Sequence, residues 1–199
     1  MSGPYDTRGM MNISVIGDSI RMNSEKFILT GLPESWQVKS PSENCESSHK
    51  VASELDKWLG KNTDVVHVNC GLHDIRYNPG SNRPVSTLEE YETNLNVIFS
   101  SLAKSNCLVI WATSTPFLEA IHNTAKASKR YEHDLLRYNE TSVKLAVQFG
   151  FHINDLYSLV SSVEFTQLLL EDGLHFTERG NKLIGKLISK SIVETVSSA

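Results

Sequence analysis

Cysteine is scarce in this chain, and neither sign of charge is in large excess. Cys45, Cys70 and Cys107 are odd in number and far apart, which argues against a disulfide framework and reads as reduced thiols in a cytosol-like setting. The 19 basic residues are scattered among 23 acidic ones, for a net charge of −4, so there is no positive stripe of the kind that displaces counterions from nucleic acid. The densest basic group, Lys126, Lys129 and Arg130, reads as the solvated face of a helix. No apolar run approaches a membrane span. Residues 1–11 have neither an apolar core nor a small-residue cleavage site, so they read as a flexible extension and the chain as cytoplasmic. Phosphate-loop and dinucleotide fingerprints, an HExxH pair and the G-x-S-x-G elbow of larger hydrolases are all missing. His49, His122, His133 and His152 show no metal-ligand spacing, and no cofactor is expected.

What is present is the alternation of a βαβ protein. With 199 residues and 40% hydrophobic content, residues 12–199 fit one domain with a sizeable core. Apolar runs bounded by turn residues predict strands over 12–16, 36–39, 64–69, 108–112 and 151–154. Val65, Val66 and Val68, like Leu108 to Trp111, form near-continuous apolar runs, as strands covered on both faces do. His67, inside one of these runs, is expected in the core. Between the strands, Val51, Leu55, Trp58 and Leu59, then Tyr91, Leu95, Ile98, Phe99 and Leu102, recur at helical spacing. Further helices are expected over 131–149 and around Leu183–Ile192. The expected product is a three-layer α/β/α sandwich with a five-stranded parallel sheet in the flavodoxin-like order 2-1-3-4-5. In that order the ligand crevice lies beyond the carboxyl ends of strands one and three.

Chemistry-bearing residues stand at that crevice. After strand one come Gly17, Asp18, Ser19 and Ile20, a turn that presents a serine hydroxyl; after strand three come Gly71, Leu72, His73 and Asp74. Asp172, Gly173, Leu174 and His175 precede the last helix. A serine hydroxyl is a poor nucleophile until a base takes its proton, and the base works best when a carboxylate fixes its tautomer. His175 and Asp172 on one short loop supply both functions. Donors for a developing oxyanion are expected from the Ser19 amide and from His73, the side chain after strand three. Asp18 and Asp74 read as structural hydrogen-bonding residues.

Together these residues resemble the SGNH subgroup of the GDSL esterases and lipases. Gly17-Asp18-Ser19 matches the family's first block and Asp172-Gly173-Leu174-His175 its last; Pro41-Ser42-Glu43-Asn44-Cys45-Glu46-Ser47-Ser48 is similar to the second. Segments 112–116 and 153–157 are also similar to family segments. The resemblance implies a Ser19/His175/Asp172 triad and an oxyanion hole of the Ser19 amide, the amide of a block-two glycine and a block-three asparagine side chain. Here Cys45 stands at the glycine position, where its backbone amide is expected to serve as an oxyanion donor, and His73 at the asparagine position. A neutral imidazole still donates one hydrogen bond, so His73 is expected to replace the amide, with a pH dependence of its own.

The expected substrate is a small acyl ester, with acetyl on carbohydrate implied by family members of this size. Asn44, Arg76 and Arg83 are candidate substrate contacts; a loop over 77–84, with Arg76 just before it and Arg83 within it, would rim the pocket and hold a sugar or an acidic leaving group. Two other readings keep the same residues: an acyltransferase that passes the acyl group to a sugar hydroxyl, and a non-catalytic glycan-binding relative. A flavodoxin-like phosphate or nucleotide binder is disfavoured by the lack of a glycine-rich loop. Nothing in the sequence sets the oligomeric state.

Overall fold

The computed structural model describes residues 9–60 and 62–199. Residues 1–8 of the expected extension lie outside the described residues, whereas Met11 packs on the core and its carbonyl accepts from the Gln37 amide at 2.8 Å.

Five strands, β1 (Asn12–Ile16), β2 (Gln37–Lys39), β3 (Val65–Val68), β4 (Leu108–Ala112) and β5 (His152–Asn154), form one sheet in the order β2-β1-β3-β4-β5. All four pairings are parallel, with Ile13 opposite Val65, Val65 opposite Leu108 and Ile110 opposite His152. The central strands are buried along nearly their whole length, so both faces need cover. Helices α1 (Ser19–Leu29), α6 (Leu156–Ser161) and α7 (Glu178–Ser198) group together on one face, and α2 (Ser48–Trp58), α3 (Leu88–Ala103) and α5 (Glu132–Gln148) group on the other. A short α4 (Glu119–Ala125) and a 3₁₀ turn (Phe165–Leu168) lie in the connections that follow β4 and β5.

The strands and long helices sit where the sequence pattern puts them; three strands and α5 are shorter at their ends by a residue, whereas α7 extends beyond Leu183–Ile192 in both directions. Helix α1 carried no readable stripe because two of its four buried positions, Arg21 and Ser24, are polar. Arg21 is buried because its guanidinium donates to the carbonyls of Pro41 and Glu43 and pairs with Glu25, which ties α1 to the loop after β2. Helix α7 packs closely on α1: a Cβ at Gly185 would lie 2.5 Å from Phe27 Cβ and 3.0 Å from the Ile28 amide nitrogen, so only glycine permits the approach.

The loops above the sheet are fixed by buried polar pairs. Asp74 takes the hydroxyls of Ser48 at 2.5 Å and Ser86 at 2.7 Å together with the Ser48 amide, joining the loop after β3 to the starts of α2 and of the segment leading into α3. Asn139 pairs with both backbone groups of Ser114, at 2.9 and 3.0 Å, and holds the segment after β4 against α5. His67 is buried within β3 and its Nε2 accepts from the side-chain Nδ2 of Asn154 at 3.1 Å.

Candidate active site

Strand β1 ends at Ile16, and Asp18 turns the chain into α1. Its Oδ1 accepts from the Ile20 amide at 2.9 Å, an N-cap that places Ser19 at the first helical position. There the Ser19 amide is one of the donors no intrahelical carbonyl can reach, and the positive end of the helix lies behind it.

The partner arrives from the far end of the chain. Residues 168–177 fold back on themselves: the Leu170 amide donates to the His175 carbonyl at 2.8 Å, and the Thr177 amide to the Leu168 carbonyl at 2.7 Å. Gly173 at the tip has a φ of +66°, and its carbonyl accepts from the Leu118 amide. A Cβ there would approach the His122 amide nitrogen to 2.9 Å, so the residue type follows from both backbone conformation and space. This turn brings Asp172 Oδ2 to 2.6 Å from His175 Nδ1, while Oδ1 accepts from the Leu174 and His175 amides at 3.0 and 2.9 Å. Burial works against ionisation of Asp172, but the hydrogen bonds from the His175 ring and these two amides outweigh it and hold the carboxyl well below the usual carboxylate range. With Nδ1–H donated to Asp172, His175 Nε2 is left as an acceptor for the Ser19 hydroxyl, 3.0 Å away. The Ser19 hydroxyl, the His175 ring and the Asp172 carboxylate are therefore joined by two consecutive hydrogen bonds, across 156 residues of sequence, an arrangement able to activate the hydroxyl.

A second polar chain braces this turn. Arg130 is buried; its Nε donates to the Leu72 carbonyl at 2.7 Å and its Nη1 to His122 Nε2 at 2.8 Å. His122 Nδ1 then donates to the Asp172 carbonyl at 3.3 Å. Burial, reinforced by Arg130, brings His122 down to about 4, which keeps the ring neutral and able to accept from the guanidinium. The loop after β3, the segment after α4 and the Asp172 turn are thus linked by two side chains.

Around Ser19 opens a cleft of about 270 Å³. Ile20, Leu72 and Leu174 give it an apolar floor, and Asn44, His73, Arg76, Lys126 and Arg130 give it polar walls.

No protein-family model and no curated protein sequence matches the chain. Solved structures do match. A lipase/acylhydrolase from Enterococcus faecalis superposes with a TM-score of 0.72 at 17% identity, covering 94% of this chain and 96% of that one. An acetyl xylan esterase gives 0.72 at 17% identity over 92% and 100%, and a GDSL-like lipase from Bacteroides thetaiotaomicron 0.66 at 14% over 98% and 93%. The chain has the SGNH/GDSL hydrolase fold.

Within this SGNH fold the expected site residues meet different fates. Ser19, Asp172 and His175 come together. His73 lines the same cleft; its Nδ1 is buried without a partner among the described residues, which leaves Nε2 as the accessible nitrogen. Burial holds the His73 ring below the ordinary histidine value; Asp18 raises it, and Arg130 and Arg76 lower it. A pH dependence through His73 is therefore displaced to the acid side of neutrality. Asn44 also lines the cleft, with its Oδ1 taken by the Glu46 amide at 2.9 Å.

The Cys45 amide, expected among the oxyanion donors, instead donates to the Gly17 carbonyl at 3.3 Å, fastening the loop after β2 to the one after β1. The Cys45 thiol is fully buried, and burial pushes its pKa up, so it is not a reactive nucleophile beside the site. Arg83 lies outside the cleft lining: the stretch 78–83 is exposed and the Arg83 guanidinium pairs with Glu90 at 2.5 Å. Sequence reasoning also missed Lys126, Ser128 and Arg130. Lys126 caps the end of α4 and stays exposed at the cleft edge, whereas Arg130, in the segment before α5, is buried where a solvated helix face was expected. Counting charges along the chain gives no sign of this, because the turn that directs Arg130 to Leu72 is a tertiary contact.

Proposed function

We propose that the protein is a serine ester hydrolase that acts on small acyl esters through an acyl-Ser19 intermediate. The observation that carries the reading is the aligned Ser19–His175–Asp172 relay at the mouth of a cleft, on the topological switch point of an SGNH fold.

His175 Nε2 takes the Ser19 proton as Oγ bonds to the acyl carbon, and Asp172 stabilises the imidazolium that forms. The negative charge on the former carbonyl oxygen is met by the Ser19 amide at the start of α1 and by His73. His175 then passes the proton to the leaving alkoxide as the ester C–O bond breaks. Water, deprotonated by the same nitrogen, attacks acyl-Ser19 and regenerates the free hydroxyl as the acid departs. Acetyl esters of carbohydrates are the first substrates to screen, since one structure sharing the fold is an acetyl xylan esterase.

Intact-mass labelling with a fluorophosphonate, alongside p-nitrophenyl acetate hydrolysis, tests the reading. Wild type is expected to gain one adduct and turn over the ester, and Ser19→Ala to do neither. A folded wild type that neither labels nor hydrolyses any ester of the screen rejects it.

A further inference from the structure

Two arginines in the cleft have a charge surplus that the ester-hydrolase reading does not use. Arg76 and Arg130 both line the cleft around Ser19, and among the described residues neither forms an ion pair with a carboxylate. Lys126, the third cation, lies 3.5 Å from Asp172 and is accounted for by the triad. The one carboxylate in the cleft lining is Asp18, whose Oδ1 is occupied by the Ile20 amide and whose Oδ2 is buried without a hydrogen-bond partner among the described residues. Two guanidinium charges thus face one carboxylate.

Arg130 is 4% exposed, and its recorded partners are neutral: the Leu72 carbonyl and the His122 ring. These use two of the five N–H donors of a guanidinium. Burying a cation among neutral acceptors is costly unless an anion completes the site. Burial, and after it the charge of Arg76, bring Arg130 down to about 10 against the opposing pull of Asp18 and Asp172, so Arg130 stays cationic at neutral pH with a second guanidinium close enough to repel it.

We propose that the cleft selects esters that carry an anionic oxygen group, a carboxylate or a phosphate, bound between Arg76 and Arg130 beside the scissile bond. This deepens the ester-hydrolase reading and rests on it for the reaction, though not for anion binding. Planar guanidinium groups meet such oxygens with paired, charge-assisted hydrogen bonds. A neutral acyl ester leaves the surplus charge unmet, so discrimination comes from the site as well as from the ligand.

Matched substrates test it. On the alcohol side, 4-acetoxybenzoate and 4-acetoxyphenyl phosphate are compared with 4-acetoxybenzamide; on the acyl side, p-nitrophenyl hemisuccinate is compared with p-nitrophenyl butyrate. In wild type, kcat/KM for at least one anionic member is expected to exceed that of its neutral partner about tenfold or more, the effect of one charge-assisted hydrogen bond. Which anionic member leads distinguishes carboxylate from phosphate. Arg76→Gln is expected to bring the ratio close to one. A ratio at or below one for every pair overturns the proposal. So does an Arg76→Gln protein that loses both members of a pair equally, because the arginine would then serve only the oxyanion.

Binding is measured separately on Ser19→Ala, by the shift in unfolding temperature with benzoate and with inorganic phosphate. Stabilisation that disappears in Ser19→Ala/Arg76→Gln supports the anion site even if the wild type hydrolyses no ester. Absence of stabilisation by either probe, in a protein that hydrolyses neutral esters, rejects the site and leaves the hydrolase reading standing.

Discussion

At the scale of single residues, the site depends on which atom carries a proton. Asp172 fixes Nδ1 as the protonated nitrogen of His175, so Nε2 is free to act as base. In Asp172→Asn an amide replaces the acceptor, and its NH₂ favours the opposite tautomer. On the ester-hydrolase reading, kcat for p-nitrophenyl acetate is expected to fall by about 10⁴, the loss seen for the same change in a serine protease. Steady-state kinetics with a circular dichroism check of folding measures this; a loss under tenfold would remove Asp172 from the relay. Gly17-Asp18-Ser19 and Asp-x-x-His were legible because each is local: a cap before a helix, and a turn that folds a carboxylate onto a nearby ring. The Cys45 amide and Arg83 were misread for the opposite reason. Whether an amide is free, or whether an arginine points inward, is decided by which partner the fold brings to it: Gly17, 28 residues away, in one case, and Glu90 in the first turn of the next helix in the other.

At the scale of elements, the relay is a matter of two helices. Ser19 begins α1 and His175 lies three residues before α7, so the seat of α7 on α1 sets the distance from hydroxyl to ring. Gly185 lets them approach. A valine there drives its side chain into Phe27 and the backbone at Ile28, and overpacking of this kind costs about 1–3 kcal/mol. Gly185→Val is expected to lower the unfolding temperature and, where still folded, to reduce fluorophosphonate labelling of Ser19 disproportionately. Unchanged stability and unchanged labelling rate would show that the contact does not set the site. Long helices and central strands could be read from periodicity because their buried faces are apolar. Helix α4 could not, since His122 is its one buried residue, and α1 could not, since half of its buried positions are polar. These are the two helices that border the cleft.

For the whole molecule, the buried histidines make stability depend on pH. His67 is enclosed in the sheet, and burial lowers it to about 4; His122 is lowered to about 4 as well. In the unfolded chain both take up a proton near 6.5. As pH falls from 6.5 towards 4 the unfolded state gains protons that the folded state refuses, so stability is full above that window and lost through it. Asp74 opposes this, because burial raises it to about 6 and the folded state then takes up a proton first. Two histidines against one carboxylate leave a net loss on acidification. The His67 contribution alone is on the order of 3 kcal/mol. Urea midpoints are expected to fall from pH 7 to pH 4.5, and to fall less steeply in His67→Gln whatever that variant's absolute stability. Parallel slopes for the two proteins would rule out His67 as a source.

The exposed stretch 78–83 divides the chain between β3 and β4, outside the cleft. Everything before it includes Ser19 and the strands β1, β2 and β3; everything after it includes Asp172, His175 and the strands β4 and β5. A backbone cut there, at an exposed loop tip of the kind that proteases prefer, would give one fragment with Ser19 and another with Asp172 and His175. On the ester-hydrolase reading neither could turn over an ester alone, so turnover would become a direct signal that two separate polypeptides had re-formed the sheet.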